Sequence, residues 1–302
     1  MGMIRDLITE ARPWQYSKNL ILFAGLVFAR HLLDAGFLGR SVLAFAGFCL
    51  LSSAVYVLND LVDLDRDRVH PDKRKRPLAS GRLSRGAAVA YFVVLLVVGG
   101  ALVGLLGRYF VVAAAAFFLL NMAYSFLLKG VVVLDVMAIA LSFEVRAIAG
   151  VEALKPRDPT IQISPWLLVC TLFLALFLGF GKRRHELNLL KEAAAGHRTT
   201  LGEYSERFLD MLIAIVTAST VLAYAIYTVA PETVEKFHTA NLVYTIPFVI
   251  YGIFRYLFLV FERQTGGNPS RILLTDPPLY LTILGWVAAV LWIVYRHGPA
   301  GG

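Results

Sequence analysis

Residues 41–67 read SVLAFAGFCLLSSAVYVLNDLVDLDRD: nineteen residues without a charge, then four carboxylates within eight positions. An uncharged run of that length matches the roughly 30 Å of hydrocarbon that a membrane helix must cross. The pattern recurs along the chain. Nine apolar segments fall at about 19–38, 41–61, 86–107, 109–128, 131–151, 164–181, 208–230, 241–261 and 278–296. Of the 302 residues 58% are hydrophobic and 17% charged, with mean hydropathy +0.67. A soluble domain carries about 25% charged and 45–50% apolar residues. The composition excludes a disordered chain, a coiled coil, a secreted disulfide scaffold and a cytosolic enzyme. The expected fold is all-α: a polytopic bundle of nine transmembrane helices, residues 1–302 forming one membrane-embedded domain. The first 18 residues are too polar for the apolar core of a signal peptide, so no cleavage is expected.

The formal charge of +8 distributes unevenly. With the N-terminus inside, twenty Lys and Arg fall in cytoplasmic segments and seven on the opposite side. That bias orients the chain with a cytoplasmic N-terminus and, after nine spans, an external C-terminus in the plasma membrane. The basic excess therefore faces anionic lipid, and no nucleic-acid partner is expected. Cys49 and Cys170 lie inside apolar runs with no CxxC spacing, so they read as small core residues. Association with further copies of the chain stays open. Two cytoplasmic stretches, 62–85 and 182–207, are longer and more charged than a reconnecting turn needs, and they are expected to cap the active site.

At 100° per residue, Asp60, Asp63 and Asp67 fall within an arc of about 60°, while Asp65 points the other way. Asn59 flanks the same side. Three carboxylates on one stripe at a membrane boundary repel one another unless a cation lies between them. Hard oxygen ligands suit Mg²⁺, which bridges carboxylates to substrate phosphates. Directly downstream, residues 70–81 read HPDKRKRPLASG, whose Lys73 and Arg76 are candidates for phosphate oxygens.

The N-D-x-x-D-x-x-x-D stretch and its basic extension resemble the UbiA superfamily of intramembrane prenyltransferases. The resemblance covers essentially the whole chain. It implies a Mg²⁺–diphosphate site in a lateral cavity, with Asn59, Asp60, Asp63 and Asp67 as metal ligands and Asp60, Asp63 and Asp67 as catalytic residues. Ordinary members carry a second acidic motif, roughly D-x-x-x-D, after the sixth span. This chain instead reads GFGKRRHEL over residues 179–187, cationic apart from Glu186. That departure disfavours two metals on a prenyl diphosphate and favours one metal-bound diphosphate with a further phosphate group.

It resembles one branch, the decaprenyl-phosphate phosphoribosyltransferases. The branch transfers 5-phosphoribose from phosphoribosyl diphosphate to a polyprenyl phosphate, supplying arabinan precursors for the cell envelope. Residues 12–19 (RPWQYSKN), Tyr124-Ser125-Phe126 with Lys129, Leu134-Asp135-Val136 and residues 146–150 (RAIAG) also fit. The resemblance implies Lys18, Asn59, Lys73, Arg76, Tyr124, Lys129, Arg146, Lys182, Arg183, Arg184 and Glu186 as substrate-binding candidates. Glu186 could anchor an Arg or ligate metal, and His185 reads as an interfacial hydrogen-bonding residue.

Arg146 lies within a span and must pair or face a wet cavity. Glu144 points elsewhere on the helix, and Asp135 is about 16 Å back along the axis, so a partner must come from another helix or a bound anion. A cavity-lining role is the favoured expectation. Two other functions compete: a conventional prenyltransferase with a prenyl diphosphate and an aromatic or polar acceptor, and a lipid-phosphate transporter. The first needs the missing acidic motif. The second predicts charges near the bilayer midplane rather than at helix ends.

Overall fold

Short polar residues set where the apolar runs become helices. Asp34 Oδ1 accepts from the N–H groups of Gly36 and Phe37 at 2.8 and 3.1 Å, satisfying two donors at the start of a helix. That cap opens a 28-residue helix at Ala35, several residues before the apolar run at 41. Ser84 and Ser205 cap the helices that begin at Arg85 and Glu206 in the same way. The computed structural model describes residues 2–69, 73–192, 202–263, 267 and 269–296.

The helices, in chain order, are α1 (Gly2–Ala11), α2 (Ala24–Phe28), α3 (Ala35–Val62), α4 (Leu64–Val69), α5 (Arg85–Gly104), α6 (Arg108–Phe126), α7 (Leu134–Glu152), α8 (Pro165–Glu192), α9 (Glu206–Val229), α10 (Pro231–Phe237), α11 (Ile246–Phe261), α12 (Pro269–Thr275) and α13 (Pro277–Arg296). The described residues hold no strand, so the all-α expectation stands. Seven helices among them are long and apolar enough to cross a membrane: Ala35–Val62, Arg85–Gly104, Arg108–Phe126, Pro165–Asn188, Glu206–Val229, Asn241–Phe261 and Pro277–Arg296. The chain is a multi-pass membrane protein.

The remaining two expected spans take other forms. The 19–38 segment is not one helix: a 3₁₀ stretch, Pro13–Phe23, leads into five-residue α2, and the chain turns before Asp34. Arg30, at φ 64°, adopts a left-handed conformation there that cannot continue a helix. The 131–151 segment does form α7, but that helix carries Asp135, Glu144, Arg146 and Glu152, more charge than hydrocarbon tolerates unpaired.

The stretch 182–207, expected as a loop, is helical at its start. At 1.5 Å per residue, 28-residue α8 is about 42 Å long, well beyond the hydrocarbon thickness. Its polar end stays helical because its side chains pair one turn apart: Arg183 and Lys182 with Glu186, Arg184 with Asn188. Residues 193–201, like 70–72 of the motif, lie outside the described residues.

The chain divides into two compact units, Met1–Leu128 with Val145–Ile163 and Lys129–Glu144 with Ser164–Gly302, so α7 contributes to both. In the first, α3 packs along α5, with Leu22, Phe48, Leu51, Phe110 and Phe117 buried at the centre. Gly150 permits a close approach of two backbones: a Cβ there would stand 2.3 Å from the Leu22 carbonyl oxygen, so only hydrogen fits. The second unit is built around Phe177, Phe180, Leu209, Tyr256 and Val260. There Gly179 lets α8 close onto Val136 of α7.

Candidate active site

The acidic end of α3 keeps its helical spacing across a bend. Asp63 is the residue after α3, with φ −90° and ψ 9°, yet its N–H still donates to the Asn59 carbonyl at 2.9 Å. The Asp67 N–H in turn donates to the Asp63 carbonyl at 2.9 Å, so α4 continues the same screw. Asp60 and Asp67 are therefore buried together, Asp63 is half-buried, and Asp65 is turned out to solvent. The expected division of the four acids holds. Asn59 faces α6, where its Oδ1 accepts from Ser125 Oγ at 2.5 Å, one residue after half-buried Tyr124.

Buried carboxylates need compensating cations, and three arrive from distant stretches of chain. Arg76 Nη1 bridges the acids, 2.9 Å from Asp60 Oδ1 and 2.5 Å from Asp67 Oδ2. The fold of its loop puts it there. Leu78 and Leu83 are buried against Ala54, Val57 and Leu64, and Gly81 takes the left-handed turn at φ 79° that most side chains resist. Lys73 Nζ stands 3.5 Å from Asp67 Oδ1. Arg12 donates to both oxygens of Asp60. Arg12 itself sits at φ 54°, a strained conformation between α1 and Pro13, and strain of this kind concentrates at functional sites.

Glu10, two residues earlier, is buried beside Asp60. Burial above all, then the neighbouring Asp60, pushes its carboxyl up to about 8, while Arg12 draws it down. Neither Arg12 nor Glu10 is among the residues expected from the motif. Both lie about 50 positions upstream of Asp60, and only the basic RPWQYSKN stretch hinted at Arg12.

Lys18 is half-buried in the 3₁₀ stretch of the same unit. Arg146 Nε donates to Asn19 Oδ1 at 2.7 Å, and its guanidinium carbon stands 4.4 Å from the Phe117 ring centroid. Its partners come from other segments of chain, as the spacing on α7 required.

In the second unit the basic cluster forms ion pairs with acids of the same unit. Arg183 is buried, its Nε 2.6 Å from Asp135 Oδ2, and it also donates to Glu186. Tyr204 Oη donates to Asp135 Oδ1 at 2.8 Å and accepts from the Val133 N–H at 2.6 Å. Val133 has φ 68°, an outlier for a β-branched residue, so the start of α7 is held under strain by this cluster. Arg184 Nε lies 2.7 Å from Asp210 Oδ1 on α9. Lys182, 40% exposed at its side chain, stands 3.5 Å from Glu186 Oε1. Half-buried Lys129 precedes α7 in this unit. Glu186 thus anchors Arg183 and Lys182, one of the two readings its sequence position left open.

Residues 20–275 match the model of the UbiA prenyltransferase family. The chain belongs to the UbiA prenyltransferase family. Among curated relatives, a Mycobacterium tuberculosis protein named decaprenyl-phosphate phosphoribosyltransferase is 32% identical over 296 residues, covering 96% of this chain and 94% of its own. A Corynebacterium glutamicum protein of the same name is 31% identical, covering 97% of this chain and 87% of its own. Of solved structures, a UbiA homologue from Archaeoglobus fulgidus bound to GPP and Mg²⁺ has the same fold, with TM-score 0.71 at 21% identity over 96% of this chain and 99% of its own.

For a UbiA protein the question is whether the α3 tip suits a divalent cation. Its donors are all oxygens, from Asn59, Asp60, Asp63 and Asp67, the chemistry that Mg²⁺ selects over softer metals. Buried Glu10 brings two more carboxylate oxygens that no donor meets at hydrogen-bonding geometry. As placed, no three acidic, His or Cys side chains among the described residues converge on one point, the guanidinium of Arg76 lying between Asp60 and Asp67. The chemistry of the donor set suits a hard cation.

Proposed function

We propose that the chain transfers 5-phosphoribose from 5-phospho-α-D-ribosyl 1-diphosphate to decaprenyl phosphate or a similar polyprenyl phosphate, releasing diphosphate. The observation that carries the reading is one chain holding both an acidic α3 tip and a basic α8 segment, with relatives of that name matched over nearly their full length. The bond that breaks joins the anomeric carbon to the diphosphate, and the bond that forms joins that carbon to a lipid phosphate oxygen. The nucleophile is already anionic, so no strong general base is required, and the sugar passes through an oxocarbenium-like state as in other glycosyl transfers.

Asp60 and Asp63 would hold Mg²⁺, with Asn59 and Asp67 in support. When bound, the ion would supply stabilisation of charge on the departing diphosphate. Arg12, Lys73 and Arg76, now engaged with carboxylates, are the groups that would turn to the donor's phosphate oxygens. Lys182 and Arg184 are assigned to the remaining phosphates, with Lys18, Tyr124 and Lys129 as further contacts. The N-terminus and the α3 tip are assigned to the cytoplasmic face of the plasma membrane, from the bias of twenty Lys and Arg to seven that nine alternating segments would give.

The test incubates the purified full chain with labelled phosphoribosyl diphosphate, Mg²⁺ and decaprenyl phosphate. Labelled lipid should form, cease with EDTA and resume with excess Mg²⁺. No labelled lipid, where an active relative's membranes make it, contradicts the proposal; product from geranylgeranyl diphosphate and an aromatic acceptor instead would point to the conventional reaction.

A further inference from the structure

Glu10 is 1% exposed, and neither of its carboxylate oxygens meets a hydrogen-bond donor. Asp60 and the Leu78 backbone lie within reach of it, and the Arg12 charge acts on it. A buried acid pressed against a second acid is costly, and protein interiors avoid it unless a proton or a further group lies between the two. The position is held firmly. Asp6, earlier on α1, accepts from Arg82 Nε at 3.0 Å, and the Ala11 carbonyl accepts from Ser53 Oγ at 2.9 Å. The left-handed turn at Arg12 follows at once, so α1 ends with Glu10 and Arg12 both beside Asp60. No other acid of α1 is buried: Asp6 is partly solvent-facing and is matched by Arg82.

We propose that Glu10 is a further ligand of the divalent cation, contributed from α1 outside the acidic motif and joining Asp60 around the ion. This rests on the reading of the α3 tip as a metal site. It adds a consequence that the motif alone lacks: a further buried oxygen ligand beside Asp60 lets the site hold a hard cation before the diphosphate arrives. Metal binding in the absence of substrate is therefore the property to measure.

The experiment titrates Mn²⁺ into the full chain in detergent without substrate and reads free Mn²⁺ by EPR, for wild type, Glu10→Gln, Glu10→Asp and Asp63→Asn. Wild type should bind, and Glu10→Gln should bind about 10–100-fold more weakly, the usual cost of disturbing a metal's ligand shell. Glu10→Asp, which keeps the charge and shortens the reach, should fall between. A second readout separates ligation from structure. Without metal, Glu10→Gln should melt at or above the wild-type temperature, because an amide can donate to Asp60, yet gain less from added Mg²⁺. Wild-type Mn²⁺ affinity in Glu10→Gln, with binding lost in Asp63→Asn, would overturn the role of Glu10 and leave the α3 tip as the metal site. Metal-free destabilisation of Glu10→Gln with an unchanged Mg²⁺ gain would make Glu10 structural and overturn it too. No Mn²⁺ binding by the wild type would remove both readings together.

Discussion

Asp63→Ala lowers turnover by at least about 10²–10³-fold, the scale of removing one preorganised group that stabilises developing charge, and leaves the protein folded. The choice of residue matters. Asp60 holds Arg12 and Arg76, and Asp67 holds Arg76 and Lys73, so deleting either acid leaves two half-buried cations without their carboxylate. A loss of activity there would mix chemistry with stability. Asp63 is half-buried at the bend, and its backbone N–H and carbonyl carry α3–α4 hydrogen bonds that a change of side chain leaves in place. It is the least buried acid of the stripe, so its removal disturbs the packing least. The labelled-lipid assay, with melting temperature and size-exclusion profile as controls, gives the measurement. Activity within a few-fold of wild type would contradict the metal assignment.

Arg183→Ala destabilises the protein by about 3–5 kcal/mol, because removing one partner of a buried ion pair leaves the other charge uncompensated. The stranded groups are Asp135, 1% exposed, and in part Glu186. Replacing both partners by apolar residues of similar volume, Arg183→Met with Asp135→Leu, should restore part of the loss, since an apolar pair avoids the desolvation cost while the Tyr204 hydroxyl loses its Asp135 acceptor. The outcome separates two roles for a residue first expected at the substrate. A phosphate ligand would raise the donor's KM on mutation and leave the melting temperature alone. A buried pair that braces the strained start of α7 lowers the melting temperature and is partly rescued by the apolar double variant. Melting curves of the three proteins, with donor KM beside them, decide between the two.

Much of this was readable before any coordinates. The uncharged run before Asn59 announced a membrane helix, and the three-and-four spacing of Asp60, Asp63 and Asp67 placed them on one face with Asp65 opposite, as the burial of these residues now shows. Local periodicity suffices for that because the backbone screw continues through the bend. The cations around the acids were less legible. Arg76 is nine residues from Asp67 and was nameable from the motif, but Arg12 and Glu10 reach Asp60 across 48 and 50 residues, and no periodicity links them.

Arg183 shows the same gap with the opposite consequence. Along α8 it belongs to a run of three cations, which suggests free positive charge for phosphate. Its compensating acid, Asp135, lies 48 residues earlier on α7, invisible to any reading of the run itself. The segment 19–38 misled for a different reason. Its apolar content sufficed for a span, but Arg30 in a left-handed conformation and the Asp34 cap divide it before the composition does. Composition reports what can be buried; caps and turns decide where a helix runs.

The central claim is that the donor's diphosphate meets a divalent cation at the acidic end of α3. The most direct measurement is pulsed EPR of the full chain with Mn²⁺ and phosphoribosyl diphosphate, reading the hyperfine coupling between the metal and ³¹P. The account predicts a ³¹P coupling in the wild type that disappears in Asp63→Ala. A coupling that persists unchanged in Asp63→Ala, or none in the wild type with both ligands bound, would contradict it.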